Sequence, residues 1–134
     1  MSLKYKIIPD LKIAYLKATG KVTADEIITE GARMFADSEW NNGFHVLLDY
    51  RGITDLIAKT SDIEKIVHQD KRNEHLFNKS KCAIVAGSDF VFGLSRMWEA
   101  LSGNTKITTM VFRSIEDSLK WFGLDEFDLE PYNG

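Results

Sequence analysis

Two runs, residues 44–50 (FHVLLDY) and 81–87 (KCAIVAG), constrain this chain more than anything else in it. In each, apolar residues fill successive positions instead of alternate ones. Strand side chains point to opposite faces with a period of two, so such a run must be covered on both sides. Val46 and Leu48 are expected to face one layer and Leu47 the other. Strands buried on both faces pair in parallel, and parallel neighbours need a crossover connection, usually a helix. The segments between the runs should therefore be helical.

Three segments read that way. Residues 23–37 (TADEIITEGARMFAD) place Ala24, Ile27, Ile28, Gly31, Met34 and Phe35 on one face at helical periodicity. Thr23 and Glu26 form a capping box, and Gly31 would let the helix lie close to the sheet. Residues 61–77 begin with Ser61 and Glu64, a second box of the same type. Residues 88–103 start at Ser88 as N-cap and stop at Gly103. A fourth helix, residues 114–123, opens on Ser114 and Asp117 and closes on Gly123. Residues 4–9 and 12–20 read as an antiparallel pair turned at Pro9-Asp10, and residues 106–113 as a more polar strand. The order is ββαβαβαβα: an α/β fold with a mixed, mostly parallel five-stranded sheet and about four helices. One domain is expected over 1–134, with residues 125–134 as a loosely docked acidic tail.

Composition excludes several functions. A length of 134 residues suits one core. The net charge of −3 argues against a general attraction to nucleic acid. No stretch approaches the roughly 20 apolar residues of a membrane span. A single cysteine, Cys82, forbids an internal disulfide and fits a reducing, cytoplasmic setting. No glycine-rich phosphate loop or zinc signature occurs, so neither cofactor nor metal is expected. His68 and His75 lie about 10.5 Å apart along a helix, too far to share one ion.

The segments HVLLDYRGITDL, CAIVAGSDFVFGLSRMWEAL and VFRSIEDSLKWFGLD resemble a STAS domain, and more narrowly the SpoIIAA-like family of small bacterial proteins. The resemblance implies a fold related to anti-sigma-factor antagonists and to CRAL-TRIO lipid-exchange domains, with no established activity. It implies a regulatory or protein-interaction module whose partner is another protein or a second copy. The alternative it implies is a carrier of a small apolar ligand or lipid, bound at the C-terminal edge of the sheet near Phe90, Phe92 and the last strand. The phospho-switching antagonists carry an Asp-Ser-Ser-Gly turn after the central strand. Here Ile57, Ala58 and Lys59 stand in its place, without a hydroxyl; Thr60 and Ser61 follow. Ser61 is a weak phosphosite candidate, because its hydroxyl is already explained as an N-cap.

Ligands of open α/β sheets bind beyond the C-terminal ends of the parallel strands. That edge is expected to gather Asp49, Arg51, Ser88, Asp89 and Arg113, with Phe90 and Phe92 nearby. Asp49 and Arg51 share a strand face. Either Arg51 neutralises Asp49 structurally through two parallel hydrogen bonds, with Gly52 turning the chain, or Arg51 and Arg113 hold an anion at the third helix. Asp89 in that helix's first turn opposes the second reading. Asp49 has no nucleophile or metal partner in sequence, so no catalytic residue is assigned. Cys82 reads as an inert core thiol.

Two helices carry oddities. In residues 61–77 the apolar face of Ile63, Ile66 and Val67 continues to Asp70 and Glu74. The second half is expected to leave the core toward solvent or a partner subunit; the alternative is a cleft lined with carboxylates. In residues 88–103, Phe90, Leu94, Met97, Trp98 and Leu101 are expected to face the core. Phe92, Arg96 and Glu99 are expected outside, as a contact surface.

Overall fold

In the computed structural model, which describes residues 2–103 and 106–132, five strands make one sheet. They are β1 (Ser2–Ile8), β2 (Ile13–Thr23), β3 (His45–Ile57), β4 (Ser80–Ala86) and β5 (Ile107–Phe112), standing side by side in chain order. β1 and β2 are antiparallel, joined by the turn Pro9–Leu11. The other neighbours are parallel. Between them run α1 (Ala24–Phe35), α2 (Thr60–Arg72) and α3 (Asp89–Leu101), followed by α4 (Ile115–Phe122) and the single turn α5 (Glu126–Leu129).

From β2 to β5 each crossover steps one strand in the same direction. Crossovers are right-handed, so three steps in one direction put all three helices on one face. The sheet consequently has two unequal covers. Ala14, Leu16, Val46, Leu48 and Ile84 pack beneath α1–α3. Tyr15, Leu47, Ala83 and Val85 pack on the other face beneath Leu119 of α4 and Leu129 of α5. Leu47 and Ile84 are completely buried. The doubly covered strand expected from residues 44–50 is thus β3, the middle of five.

Most helix starts follow the predicted chemistry. The Thr23 hydroxyl accepts from the Glu26 N–H at 3.2 Å, and the Glu26 carboxylate accepts from the Thr23 N–H at 2.9 Å. Ser88 accepts from the Val91 N–H, and Ser114 from the Asp117 N–H, each at 3.2 Å. Gly123 ends α4 at φ 78°, the left-handed conformation that glycine adopts without cost.

Four local expectations are corrected. The cap of α2 is Lys59, whose N–H donates to the Asp62 carboxylate at 2.8 Å; Ser61 is one residue inside the helix and exposed. Gly31 admits another helix, not the sheet: a Cβ there would stand 3.1 Å from Gln69 Oε1, and Gln69 Nε2 donates to the Ile28 carbonyl at 2.8 Å. β3 does not stop at Tyr50 but pairs with β2 through Ile57, so Gly52 lies within a strand. α3 is turned so that Val91, Ser95 and Trp98 face the core, leaving Phe90 57% and Leu101 47% exposed. The small Ser95 and the β-branched Val91 allow the close seat on β4 that Phe90 would not. The acidic tail is held through Leu129, 4% exposed, while its Phe127 is 81% exposed; residues 133 and 134 of that tail lie outside the described residues.

Gly87, just after β4, approaches β3 closely. A Cβ there would meet Arg51 backbone atoms at 2.8 Å (O) and 3.2 Å (Cα). At Gly52 the nearest atom, 2.7 Å away, is instead the Thr19 side-chain methyl carbon. Main chain within a sheet yields less readily than a side chain. Gly87→Ala is expected to lower stability by about 1–3 kcal/mol, and Gly52→Ala by less; urea denaturation of the two variants checks the order.

Candidate functional site

The residues expected at one rim form two separate ion pairs. On β3 the chain stays extended from Asp49 to Arg51, so both side chains leave the same face. That face is the one Leu47 buries under α4. Arg51 Nε donates to Asp49 Oδ1 and Nη2 to Oδ2, both at 2.9 Å, and the Arg51 backbone N–H adds a third bond to Oδ1 at 3.2 Å. The Tyr15 hydroxyl donates to Oδ2 at 3.4 Å. Asp49 is 2% exposed. Burial alone would raise its pKa; the Arg51 hydrogen bonds and charge outweigh burial and hold it below the usual carboxylate value. Burial first, and the Asp49 charge second, push Tyr15 up to about 12. This is a satisfied structural pair, which answers the first of the two readings.

The second pair stands on the α3 side. Arg113 Nη2 donates to Asp89 Oδ1 at 2.8 Å, and its guanidinium lies 4.0 Å over the Phe92 ring, a cation–π contact. Phe92 is thereby half-buried against the core beneath α1–α3. Ser88 is occupied as the cap of α3. Each guanidinium faces its own carboxylate, on opposite faces of the sheet. The reason is the length of β3: Asp49 and Arg51 belong to the strand, not to a loop beyond it.

Other candidates fall apart similarly. His45 Nδ1 accepts from the Lys81 N–H at 2.9 Å; burial, then Lys81 and Lys12, lower its pKa. Among the described residues no three His, Cys, Asp or Glu side chains cluster as metal ligands. Cys82 is buried, and burial raises its thiol far above the usual value, which keeps it protonated and unreactive.

What sequence reasoning placed outside is a carboxyl inside. Asp70 is 5% exposed, on the inner face of α2. Its Oδ2 accepts from the Trp98 indole N–H of α3 at 3.2 Å. Burial raises its pKa to about 7, and the Trp98 hydrogen bond offsets only part of that. Asp70, Gln69, Tyr50, Cys82 and Trp98 line one hollow between the sheet and α1–α3, otherwise walled by apolar residues such as Leu16, Ile27 and Met34. The hollow leaves about 30 Å³ open to a water-sized sphere. Two signals pointed here. The apolar stripe of α2 runs into Asp70, and a buried tryptophan needs an acceptor for its N–H.

On the outside of α3, Phe90, Leu94, Met97 and Leu101 recur at helical spacing along one flank. Leu94 and Met97 are half-buried and Phe90 and Leu101 exposed. Arg96 beside them is ion-paired with Glu99 at 3.3 Å. No described helix is long and apolar enough to cross a membrane.

Neither a protein-family model nor a curated protein sequence matches the chain. A solved structure does. It is the crystal structure of an uncharacterized protein of the DUF3478 family from Shewanella loihica PV-4, described as having a SpoIIAA-like fold. The two are 18% identical, with 90% of this chain and 92% of that chain covered and a TM-score of 0.56. The fold is SpoIIAA-like. Within this SpoIIAA-like frame the mixed five-stranded sheet expected from the sequence is borne out.

The two buried carboxyls behave oppositely. Asp49→Asn weakens a bidentate pair and is expected to cost about 1–3 kcal/mol in urea denaturation at neutral pH. Asp70 has a folded pKa raised to about 7 from 3.8, so the folded state holds the proton more tightly. Its contribution is greatest below the unfolded value and is lost as pH rises from about 4 to 7, on the order of 4 kcal/mol. Asp70→Asn should flatten that slope. The lowered pKa of Asp49 acts the other way, costing stability only as pH falls through its folded value. Urea titrations of wild type and Asp70→Asn across this range check the sign.

Proposed function

We propose that the chain is a STAS-like regulatory module without catalytic machinery, and that it engages another protein through the outer flank of α3. One observation supports this reading most: a helix in a small domain leaves Phe90 57% and Leu101 47% exposed, in line with Leu94 and Met97. Contiguous exposed apolar surface marks contact sites, and aromatic anchors with arginine are enriched among the residues that carry binding energy. Arg96 on the neighbouring face and the Arg113–Asp89 pair beside Phe92 form the polar border of the surface. A second copy of the chain is the other partner this flank would take.

Ser61 is the subordinate element of the reading. It is exposed in the first turn of α2, where a phosphoryl group would meet the positive end of a helix. Asp49 and Arg51, mutually satisfied, support the contact surface only by holding β3.

The test is chemical cross-linking in native lysate followed by size-exclusion chromatography. Wild-type chain is expected in a larger cross-linked species. The double variant Phe90→Asp, Leu101→Asp is expected to elute as monomer. Because both side chains are exposed, each substitution should change stability by only about 0.5 kcal/mol or less. A wild-type protein that is monomeric and uncross-linked at every concentration overturns the proposal.

A further inference from the structure

The hollow beneath α1–α3 brings Tyr50 and Asp70, among the polar groups on its wall, into a chemistry that the contact-surface reading does not use. Tyr50 is 3% exposed, and among the described residues its hydroxyl has no hydrogen-bond partner. Leaving a buried hydroxyl unmatched costs the full desolvation of that group. Asp70, 5% exposed, lines the same hollow with Trp98 on its Oδ2. The two come from opposite walls, β3 and α2. The strand register explains why Tyr50 is there: Asp49 points to the α4 face, so its neighbour must point to this one.

We propose that this hollow is a binding site for a small neutral molecule bearing one hydroxyl, which the Tyr50 hydroxyl and the Asp70 carboxyl hold between them. A hydroxyl donates one hydrogen bond and accepts others, and a neutral carboxyl can do both, so the molecule can accept from the Tyr50 hydroxyl while it exchanges a hydrogen bond with Asp70. Ions do not suit the site. The walls are apolar, and an unpaired charge brought into them pays its desolvation without return. The neutral form of Asp70, which burial favours, keeps the site uncharged. Size sets the class. Water needs roughly 10–15 Å³ of space by a comparable measure, so about 30 Å³ accepts one or two waters. A short alcohol needs more room than water, and Met34 on the wall is an unbranched thioether of the adaptable kind that could yield it. Water and a short alcohol share the recognised group, and the experiment separates them.

The first arm is Tyr50→Phe. An unmatched hydroxyl is a liability, so its removal from an empty site would leave Tm unchanged or raise it. A hydroxyl that holds a bound molecule is an asset, and Tm is expected to fall by about 3 °C or more. The second arm uses the wild-type protein alone. Nuclear Overhauser cross-peaks to the Trp98 indole proton and the Tyr50 ring are sought from solvent water and, in a separate sample, from added ethanol. Cross-peaks from long-lived water identify water as the occupant. Cross-peaks from ethanol, with loss of those from water, identify an alcohol site. A Tm that is unchanged or raised in Tyr50→Phe, or the absence of both sets of cross-peaks, overturns the proposal. Neither arm reads association through α3, so this inference and the contact-surface reading fail separately.

Discussion

Everything else in the molecule depends on the burial of β3 from both sides. A strand with Leu47 on one face and Val46 and Leu48 on the other is stable only inside three layers. That requirement forces parallel neighbours, which force crossover helices, which handedness then gathers on one face. The opposite face is left to whatever chain remains after β5. α4 and the turn around Leu129 do that work. The acidic tail is thus part of the layer structure despite its composition.

The same strand shows how alternation distributes polar groups between two environments. Asp49 and Tyr50 are adjacent in sequence but belong to different cores. On one face Asp49 meets a guanidinium with matching geometry, and its ionised form is favoured over burial. On the other, Tyr50 shares a hollow with Asp70, whose hydrogen-bond donor is the neutral Trp98 indole, so burial governs and the proton is held more tightly. Both carboxyls are almost closed to solvent, with Asp70 the more deeply desolvated. The guanidinium beside Asp49 and the desolvation of Asp70 together set their charges apart.

The sequence made the layered plan legible because that plan rests on local signals: doubly apolar runs, Thr23, Ser88 and Ser114 as caps, and Gly123 as a stop. It was less informative where two local rules compete. Ser61 and Glu64 have the spacing of a capping box, yet Lys59 and Asp62 cap α2, since one residue of shift decides which side chain reaches the open N–H groups. In α3 the larger apolar residues suggested one face; the space available against β4 selected Val91 and Ser95 instead. The α2 pattern sends Asp70 out of the core, because its acceptor role depends on Trp98, 28 positions away. Among the candidate site residues, Asp49 and Arg51 were recognisable as a pair from their spacing. Arg113 over Phe92, and the hollow with Tyr50 and Asp70, depend on contacts between distant elements that no single segment encodes.

The strand order repeats the chain order, β1 through β5, and this has a bearing on synthesis. Each new strand adds beside the one just made, so no early segment waits for a late one in order to pair. Each parallel pairing closes a single crossover and no more, so the entropy of closure does not accumulate from step to step. A ribosome releasing this chain from its N-terminus would extend the sheet by accretion, with the face beneath α4 the last to be sealed. Until Leu119 and Leu129 arrive, Tyr15 and Leu47 are open to the surroundings, and in a nascent chain that is the interval when a chaperone or an unwanted strand has access.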